Sequence, residues 1–547
     1  MGSPKPSGSG INPCFLWDNS IYMLGYDPKD KNPDRTQKCF EAFRQRHVEL
    51  ESQIASESFT AVCRFLENWD PASAAEFATL AELTTGFGLF QIIGQTKHVH
   101  QDPVIKSWWR ENGDPATSAF RSQCLISGKV APIAATHPSI KGVAGAQPAG
   151  AAIVSFNDPA YESYGHSQSL NAPVSQSAAF RYTTALNALL DGPQRGKHRM
   201  PLGSGTTVAF WTDRPSTFED ITTLFFEKGS RELDVEQSQD AGTRKKLESF
   251  LLALRSGREA YGDLNHEFAT EYYLLGLSPN QARLSIRFWH SGTLGDLLDN
   301  LRAHFHDIQI VRPTKAGVEQ GVEFLSIQDL LDQTCPRKSS GLADRGRIPP
   351  VLEGPLLRAI VTNVRYPTGL FQAVIRRLHA DPTISHPRAS IIKGYLNRNH
   401  YSDKGKEIFV SLDKERVSPS YRLGRLFAVL EKAQTEAIEG INSTIRDRYY
   451  GAASATPRSV FPKLLRTFQH HISKLHRGRK TNIEKIVQEI LGPVDNFPAH
   501  FNLTDQGEFA IGYYHQRNDL FTPKDGASPE ADVSLEESTE RNNQISS

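Results

Sequence analysis

The stretch YRLGRLFAVLEKAQTEA, residues 421–437, carries the clearest helical pattern in the chain. Its larger apolar residues recur at steps of three and four and therefore share one face of an α-helix, namely Leu423, Leu426, Phe427 and Leu430. Arg422 and Arg425 are predicted to lie to the side of that apolar stripe. Similar patterns follow one another from Pro355 onward, so this part of the chain is predicted to form an all-α helical bundle.

A second helix of the bundle is predicted from Phe461 to about Arg477. Its inward face is apolar and consists of Leu464, Leu465, Phe468 and Ile472. Its outer face is basic and carries Lys463, Arg466, His470 and Lys474 at steps of three or four. Between Tyr421 and Lys480 the chain has twelve Lys and Arg but only four Asp and Glu, and Tyr449 and Tyr450 lie among them.

This local excess of positive charge indicates a nucleic-acid partner. Cations on a helical face neutralise a phosphate backbone, and aromatic rings stack on unpaired bases. We expect contact with a nucleic-acid backbone through Arg422, Arg425, Arg446, Arg448, Arg458, Lys463, Arg466 and Lys474. The solvated face of an ordinary helical bundle explains the same charges equally well.

Shorter strand and helix patterns precede the bundle. TTVAFW, residues 206–211, predicts a buried strand, and EYYLLGLSPNQARLSIRFW, residues 271–289, predicts a β-hairpin with its turn at Ser278–Asn280. In its second strand one face is apolar, and the other carries Arg283 and Arg287. The predicted fold class is α+β, with a mixed α/β N-terminal and central portion followed by a C-terminal all-α helical bundle.

The chain has 547 residues, which is too long for one core. Its patterns and Pro/Gly/Ser-rich stretches predict an N-terminal α/β region, a central mixed α/β region, a linker, a helical connector, a C-terminal helical bundle and a disordered acidic tail. In that order these are residues 1–120, 121–337, 338–350, 351–416, 417–522 and 523–547.

Composition narrows the classes of function. Lys and Arg number 62 against 61 Asp and Glu, so a polyanion must be bound by local patches and not by the overall charge. The five cysteines form no C-x-x-C pair, which favours a reducing, cytoplasmic compartment. No membrane span, P-loop, H-E-x-x-H motif or Cys/His ligand set occurs, so we predict no membrane partner, no metal, no cofactor and no catalytic residue.

The segment GAQPAGAAIVSFNDPAYESYGHSQSLNAPVS, residues 145–175, is rich in small residues and amides. None of its serines lies in the G-x-S-x-G turn of a hydrolase, and its glycines lack the spacing of a phosphate-binding loop. Small residues let the backbone approach a neighbouring subunit or a nucleic acid, and Gln147, Asn157, Gln168 and Asn171 offer hydrogen bonds. An internal loop held by its own amides accounts for each of these residues equally well.

Several long blocks carry a family resemblance. They are CLISGKVAPIAATHPSIKGVAGAQPAGAAIVSFNDPAYESYGHSQSLNAPVS (124–175), TTVAFW (206–211), YYLLGLSPNQARLSIRFW (272–289), YRLGRLFAVLEKAQ (421–434), INSTIRDRYYGAASATPRSVFPKLLR (441–466) and FAIGYYHQRNDLF (509–521). In this order they resemble the large subunit of the type I-C CRISPR Cascade complex. The family pattern normally begins some dozens of residues earlier, so we expect an N-terminally shortened chain.

The resemblance implies a non-catalytic subunit of an RNA-guided surveillance complex in the prokaryotic cytoplasm. Such a subunit recognises the protospacer-adjacent motif (PAM) on double-stranded DNA, helps to open the duplex, stabilises the displaced non-target strand and recruits the helicase-nuclease. The implied partners are the guide RNA, the target double-stranded DNA, the Cascade backbone and RNA-processing subunits, the small subunit and the helicase-nuclease. The bundle at 417–522 itself resembles that small subunit.

Two segments are expected to approach the PAM duplex through the minor groove, where readout is limited to A·T against G·C. The first is the Gly/Ser loop with Lys5, Ser7, Ser9 and Asn12. The second is the polar connector with Gln194, Lys197, His198 and Arg199. Surface loops without function are the alternative.

A function of another class is a metal-dependent nuclease with histidine ligands. Its candidate ligands are His98, His100, His137, His470 and His471. DNA cleavage with Mg²⁺ or Mn²⁺ that His-to-Ala substitutions abolish would distinguish this function from binding.

Overall fold

The computed structural model describes residues 10–27, 32–81, 86–112, 120–156, 158–203, 205–216, 219, 254, 267–315, 318–319, 324–381, 383–401 and 406–521. The predicted contacts Lys5, Ser7, Ser9 and Asn157 and the predicted tail at 523–547 lie outside these residues. The chain divides into two compact units. The first comprises Met1–Gly192 and Pro279–Ser285, and the second comprises Pro193–Ser278 and Ile286–Ser547.

The first unit combines helices with short antiparallel strand pairs. Its helices are α1 (Ser20–Met23), α2 (Pro33–Leu50), α3 (Glu57–Asn68), α4 (Ala78–Ala81), α5 (Pro103–Asn112) and α6 (Gln176–Asp191). Its strands are β1 (Trp17–Asp18), β2 (Gly88–Leu89), β3 (Arg121–Gln123) and β4 (Val130–Pro132), with β1 paired to β2 and β3 to β4.

The N-terminal core of this unit is aromatic and encloses a neutral histidine. Phe15, Phe43 and Phe59 pack around His47, and all four side chains are buried. His47 Nδ1 donates to the Phe43 carbonyl oxygen at 2.8 Å, while Nε2 accepts from the Leu16 N–H at 2.9 Å. Burial lowers the pKa of His47 to about 4, so its ring remains neutral near pH 7 and serves packing.

The segment of small residues folds back onto its own unit. Gly150 has a φ angle of 90°, and a Cβ added to it would lie 2.8 Å from the carbonyl oxygen of Ile140. Ile140 and Ala151 exchange backbone hydrogen bonds of 2.9 and 3.0 Å. At these positions the close backbone approach that the sequence predicts is therefore made within the unit.

The second unit contains a four-stranded sheet in the order β5 (Arg199–Leu202), β6 (Thr206–Thr212), β7 (Glu271–Asn280) and β8 (Arg283–Thr293), preceded by α7 (Arg195–His198). Strand β6 pairs antiparallel with both β5 and β7. The hairpin of β7 and β8 turns at Gln281–Ala282, so the turn predicted at Ser278–Asn280 is wrong. On the predicted apolar face of β8, Leu284 is buried but Ile286 is exposed.

Helices make up most of the remaining described residues of the second unit. They are α8 (Leu294–Ile308), α9 (Ile327–Leu331), α10 (Glu353–Val361), α11 (Thr368–Ala380), α12 (His386–Asn399), α13 (Pro419–Ala437), α14 (Ile445–Ala455), α15 (Pro457–Ile472), α16 (Arg477–Leu491) and α17 (Leu503–Phe521). A minor pair of strands, β9 (Thr314–Lys315) and β10 (Val318–Glu319), follows α8. The predicted α+β class with a helical C-terminal portion is confirmed.

The helices from α8 to α17 share one hydrophobic core with the sheet. Helices α13 and α17 cross at glycines: a Cβ on Gly424 would lie 2.0 Å from the Phe509 carbonyl oxygen, and one on Gly512 would lie 2.1 Å from that of Tyr421. Residues 338–350, where composition predicts a linker, lie within this unit, and Ile348 there is buried. Over the described ranges no helix combines the length and the apolar character that crossing a bilayer requires.

Candidate nucleic-acid interface

The cationic face of α15 is exposed, as its periodicity predicts. Val460, Phe461, Leu464, Phe468 and Ile472 are buried on one side of this helix and its end. Lys463 and Arg466 lie on the opposite side, and Lys474 follows in the turn after the helix; all three are exposed. Within the described part of the chain none of the three forms an ion pair with a carboxylate. We call these three residues the α15 cationic face.

The neighbouring predicted contacts differ in accessibility. Arg448 on α14 is exposed, whereas Arg446 is half-buried and lies 3.8 Å from both Glu431 and Asp447. Arg458 at the start of α15 is exposed, and its Nε donates to the Phe497 carbonyl oxygen at 3.1 Å. Of the two tyrosines in this region, Tyr449 is exposed, but Tyr450 is buried in the bundle core.

Arg422 and Arg425 are not surface residues, which corrects the prediction that they contact a nucleic-acid backbone. Arg422 is buried and donates from Nη1 to the carbonyl oxygens of Glu489 and Ile490 at 3.3 and 3.4 Å. These carbonyls belong to the last turn of α16, where carbonyl oxygens have no N–H donor within their own helix. The arginine therefore satisfies the C-terminal end of a neighbouring helix.

Arg425 is fully buried, with a relative exposure of 0%. Its Nη2 donates to both carboxylate oxygens of Glu489 at 2.9 and 3.0 Å, and its Nε donates to the Gln516 side-chain oxygen at 2.9 Å. Its guanidinium is thus occupied by protein groups and unavailable to a phosphate. A buried charge requires such partners, and here they come from α16 and α17.

The segment from Gln194 to Arg199 is a helical turn leading into the sheet and not an open connector. Gln194 is exposed, while Lys197, His198 and Arg199 are half-buried. His198 Nδ1 lies 3.1 Å from the Phe210 carbonyl oxygen, and Arg199 begins β5 opposite Ala209. The sheet thus fixes the end of the segment and leaves its beginning accessible.

Asn171 binds several residues of the segment 145–175, the polar loop of the first unit. Its Oδ1 accepts from the Ser163 N–H at 2.9 Å, and its Nδ2 donates to the carbonyl oxygens of His166 and Gln168 at 2.7 and 2.9 Å. The side chain of Asn171 thus has the internal role that the sequence leaves as an alternative. Gln147 and Gln168 are exposed.

Of the four predicted contact residues of the N-terminal loop, Lys5, Ser7, Ser9 and Asn12, the structure describes Asn12. It is half-buried, and its N–H donates to the Tyr22 hydroxyl at 3.1 Å.

The histidines considered as metal ligands do not form a ligand set. The rings of His98 and His100 stack with their centroids 5.6 Å apart. His137 Nδ1 lies 2.6 Å from the Tyr182 hydroxyl oxygen. Burial lowers the pKa of His137. His470 is exposed and His471 buried. Among the residues that the structure describes, no group of three or more His, Cys, Asp or Glu side chains is placed to hold a metal ion.

A cleft of about 770 Å³ in the second unit is a feature that sequence reasoning missed. We call it the basic-aromatic cleft, and its chemically distinctive lining residues are Arg287, Phe288, Trp289, His290, Arg358 and Arg365. The alternation of β8 indicates Arg287, but the other two arginines lie some 70 residues further along the chain. No local pattern connects them.

A single protein-family model matches the whole described part of the chain. The family model described as CRISPR-associated protein (Cas_Csd1) matches residues 2–521. This range includes both compact units, with the polar loop, the sheet and the helices of the bundle. No curated protein matches the chain.

Proposed function

The chain belongs to the Cas_Csd1 family of CRISPR-associated proteins, and we propose that it is the non-catalytic large subunit of a type I-C RNA-guided surveillance complex. In such a complex the guide RNA reads the target by base pairing, and the protein reads the PAM and the backbone. We assign to this chain PAM recognition, duplex opening, stabilisation of the displaced non-target strand and recruitment of the helicase-nuclease. Its partners are then the guide RNA, the target DNA, the backbone, RNA-processing and small subunits, and the helicase-nuclease.

The α15 cationic face is the observation that carries this proposal. Phe461, Leu464 and Phe468 anchor the helix in the core, so its charges are presented on a rigid element. Lys463, Arg466 and Lys474 are exposed and have no carboxylate partner within the described residues. Binding of phosphates to such charges releases counterions and does not depend on base sequence. This property suits a strand whose sequence changes with every target.

PAM recognition is assigned to the loop Lys5–Asn12 and to the segment Gln194–Arg199. The support for the second is the exposed Gln194 beside three half-buried residues that can donate hydrogen bonds. Alanine at Gln194, Lys197, His198 and Arg199 should lower PAM-dependent binding by the assembled complex. Unchanged binding would remove this segment from the PAM site.

The α15 assignment is tested by reversing its charges in the full chain. Glu at positions 463, 466 and 474 should weaken binding of a labelled single-stranded oligo(dT), measured by fluorescence anisotropy at several salt concentrations. The slope of log K against log salt should fall by about 2, because each phosphate contact on a single strand contributes about 0.7. The matched control reverses Lys129, Lys141 and Arg181, which are exposed cations of the first unit.

Equal effects of the two triple variants would mean that only net charge matters. Unchanged affinity and slope in the α15 variant would show that its cations are merely solvated. The nuclease alternative is tested in the same preparation by incubating the protein and DNA with Mn²⁺. If the wild type cleaves the DNA and His98→Ala or His137→Ala does not, the protein is a nuclease and not only a binding subunit.

A further inference from the structure

The basic-aromatic cleft follows the outer edge of β8. Of the four described strands in this sheet, β8 is the last in order. Four consecutive residues, Arg287 to His290, line the cleft. Since successive side chains of a strand point to opposite faces, a run of four shows that the cleft follows the strand edge. The opposite wall comes from α10 and the residues after it, including Arg358 and Arg365.

Trp289 offers an exposed ring that is held in place. Its side chain is 51% exposed, although its ring centroid lies 5.5 Å from that of Trp211 and 5.8 Å from that of Tyr273. Trp211 and Tyr273 are themselves stacked at 5.4 Å. Two rings on neighbouring strands thus position Trp289. A ring held in this way loses little freedom when a flat partner stacks on it.

The cleft carries three arginines. Arg287, Arg358 and Arg365 are exposed, and none pairs with a carboxylate among the described residues. Arg287 donates to the Ser278 hydroxyl at 3.2 Å, which leaves its charge unneutralised. Like charges around one cleft repel each other, and a bound anion removes that cost.

Phe288 and His290 complete the cleft. The two rings stack at 5.5 Å, and Phe288 also packs against Gly354 at the start of α10. His290 Nε2 is buried and has no hydrogen-bond partner among the described residues. Burial, with Arg358 nearby, lowers the pKa of His290, so the ring is neutral near pH 7 and can exchange a hydrogen bond with an uncharged polar group.

We propose that the basic-aromatic cleft binds unpaired nucleotides, with one base stacked on Trp289 and the flanking phosphates on Arg358 and Arg365. An exposed aromatic ring and arginines along one cleft are the combination that single-stranded nucleic acids require, because bases stack and phosphates pair with guanidinium groups. The inference rests on the proposed function and adds to it a second nucleic-acid site, separate in sequence from the α15 cationic face. The displaced DNA strand and an unpaired part of the guide RNA share this chemistry, so the test has an arm for each.

The test uses the full chain and fluorescently labelled dT and rU dodecamers. Trp289→Ala should weaken binding about tenfold, the effect of one lost base stack, whereas Trp289→Phe should retain most of the affinity. Arg358→Gln with Arg365→Gln should lower the salt slope by about 1.4, for two contacts on a single strand. The matched control, Arg347→Gln with Arg376→Gln, removes two exposed arginines that do not line the cleft. The dodecamer that shows these losses identifies the source of the nucleotides.

Photo-crosslinking on the unaltered protein keeps the test decisive if a variant fails to fold. Dodecamers containing 5-iodouracil should crosslink to Trp289, within the tryptic peptide 288–302. Absence of that adduct, or equal affinities of wild type, Trp289→Ala and the double arginine variant, would overturn the cleft site. If the α15 variant then still loses binding, the proposed function stands without the cleft; if no variant affects binding, both fail.

Discussion

Helices α13 and α15 lie in the same bundle and both carry arginines, yet they place them in opposite environments. Arg422 and Arg425 of α13 are buried and bound to the last turn of α16 and to Glu489. Arg466 of α15 is exposed, without a carboxylate partner among the described residues. The difference shows that a cation indicates a binding surface only when the helix has a polar face on which that cation lies.

The cause is visible in the residues between the arginines. From Tyr421 to Leu430 every residue of α13 is buried, including Gly424, Ala428 and Val429 outside the apolar stripe. A helix with apolar or small side chains on all sides packs in the interior of a bundle. In α15 the positions between the apolar residues are polar, such as Thr467 and Gln469, and this helix stays at the surface.

The largest expected effect comes from removing the carboxylate that holds the start of α13. Glu508 is buried and accepts hydrogen bonds from Tyr401, Arg416, Ser418 and Ser420. Glu508→Ala leaves the Arg416 charge without its partner and should lower the free energy of unfolding by about 3 to 5 kcal/mol. Urea denaturation measures this. Glu484→Ala on α16, which removes a half-exposed carboxylate, is the matched control, and equal losses would contradict the account.

The next effect concerns Arg425 itself. Arg425→Met keeps roughly the same buried volume but removes the donor to the Glu489 carboxylate and to the Gln516 side-chain oxygen. We expect the free energy of unfolding to fall by about 2 kcal/mol. This loss in the free energy of unfolding is smaller than that expected for Glu508→Ala, because Glu489 is partly exposed and can be hydrated. Lys463→Met on α15 is the matched substitution. An equal stability of the two variants would show that Arg425 is not a structural residue.

The pH dependence of stability should report the same network. Burial by itself raises the pKa of Glu508, but Arg416, Ser418 and Ser420 outweigh it, so the pKa lies below its ordinary value. The stabilisation is therefore complete above the unfolded-state pKa of about 4.3 and is lost as the pH falls through the folded-state pKa. The stability difference between wild type and Glu508→Gln should narrow as the medium is acidified. A difference that stays constant with pH would rule out this linkage.

The smallest effect on stability should come from the α15 cationic face. Alanine at Lys463 or Arg466 should change the free energy of unfolding by less than about 0.5 kcal/mol, because an exposed charge without a partner contributes little to folding. The same substitutions should still weaken oligonucleotide binding. A stability loss as large as that of Arg425→Met would mean that these residues act in the fold.

The sequence predicts the helical C-terminal portion and the outer face of α15, because both depend on local periodicity. It places Arg422 and Arg425 wrongly because their partners are distant: Glu489 lies 64 residues from Arg425, and Gln516 lies 91. The basic-aromatic cleft is missed for the same reason, since β8 and α10 contribute its two walls. Local patterns describe one helix or strand at a time, and burial depends on what packs against it.

The hairpin turn illustrates a second limit. Pro279 and Asn280 are typical turn residues, and they predict the turn at their own position. Strand β7 nevertheless continues to Asn280, and Gln281 takes the positive φ angle of 57° that the turn needs. Strand β7 is hydrogen-bonded to β8 as well as to β6, and its pairing with β6 runs from Tyr272 to Leu277. Pairing with a neighbouring strand thus outweighs local turn preference here.

We propose that the exposed cations of α15, and not the buried arginines of α13, contact the nucleic acid. Arginine footprinting of the wild-type chain with a phenylglyoxal reagent, read by mass spectrometry with and without saturating oligo(dT), tests it directly. Arg466 should react in the free protein and be protected by the oligonucleotide, whereas Arg422 and Arg425 should be unreactive in both states. Undiminished modification of Arg466 at saturation, or modification of Arg425 that the oligonucleotide blocks, would contradict the account.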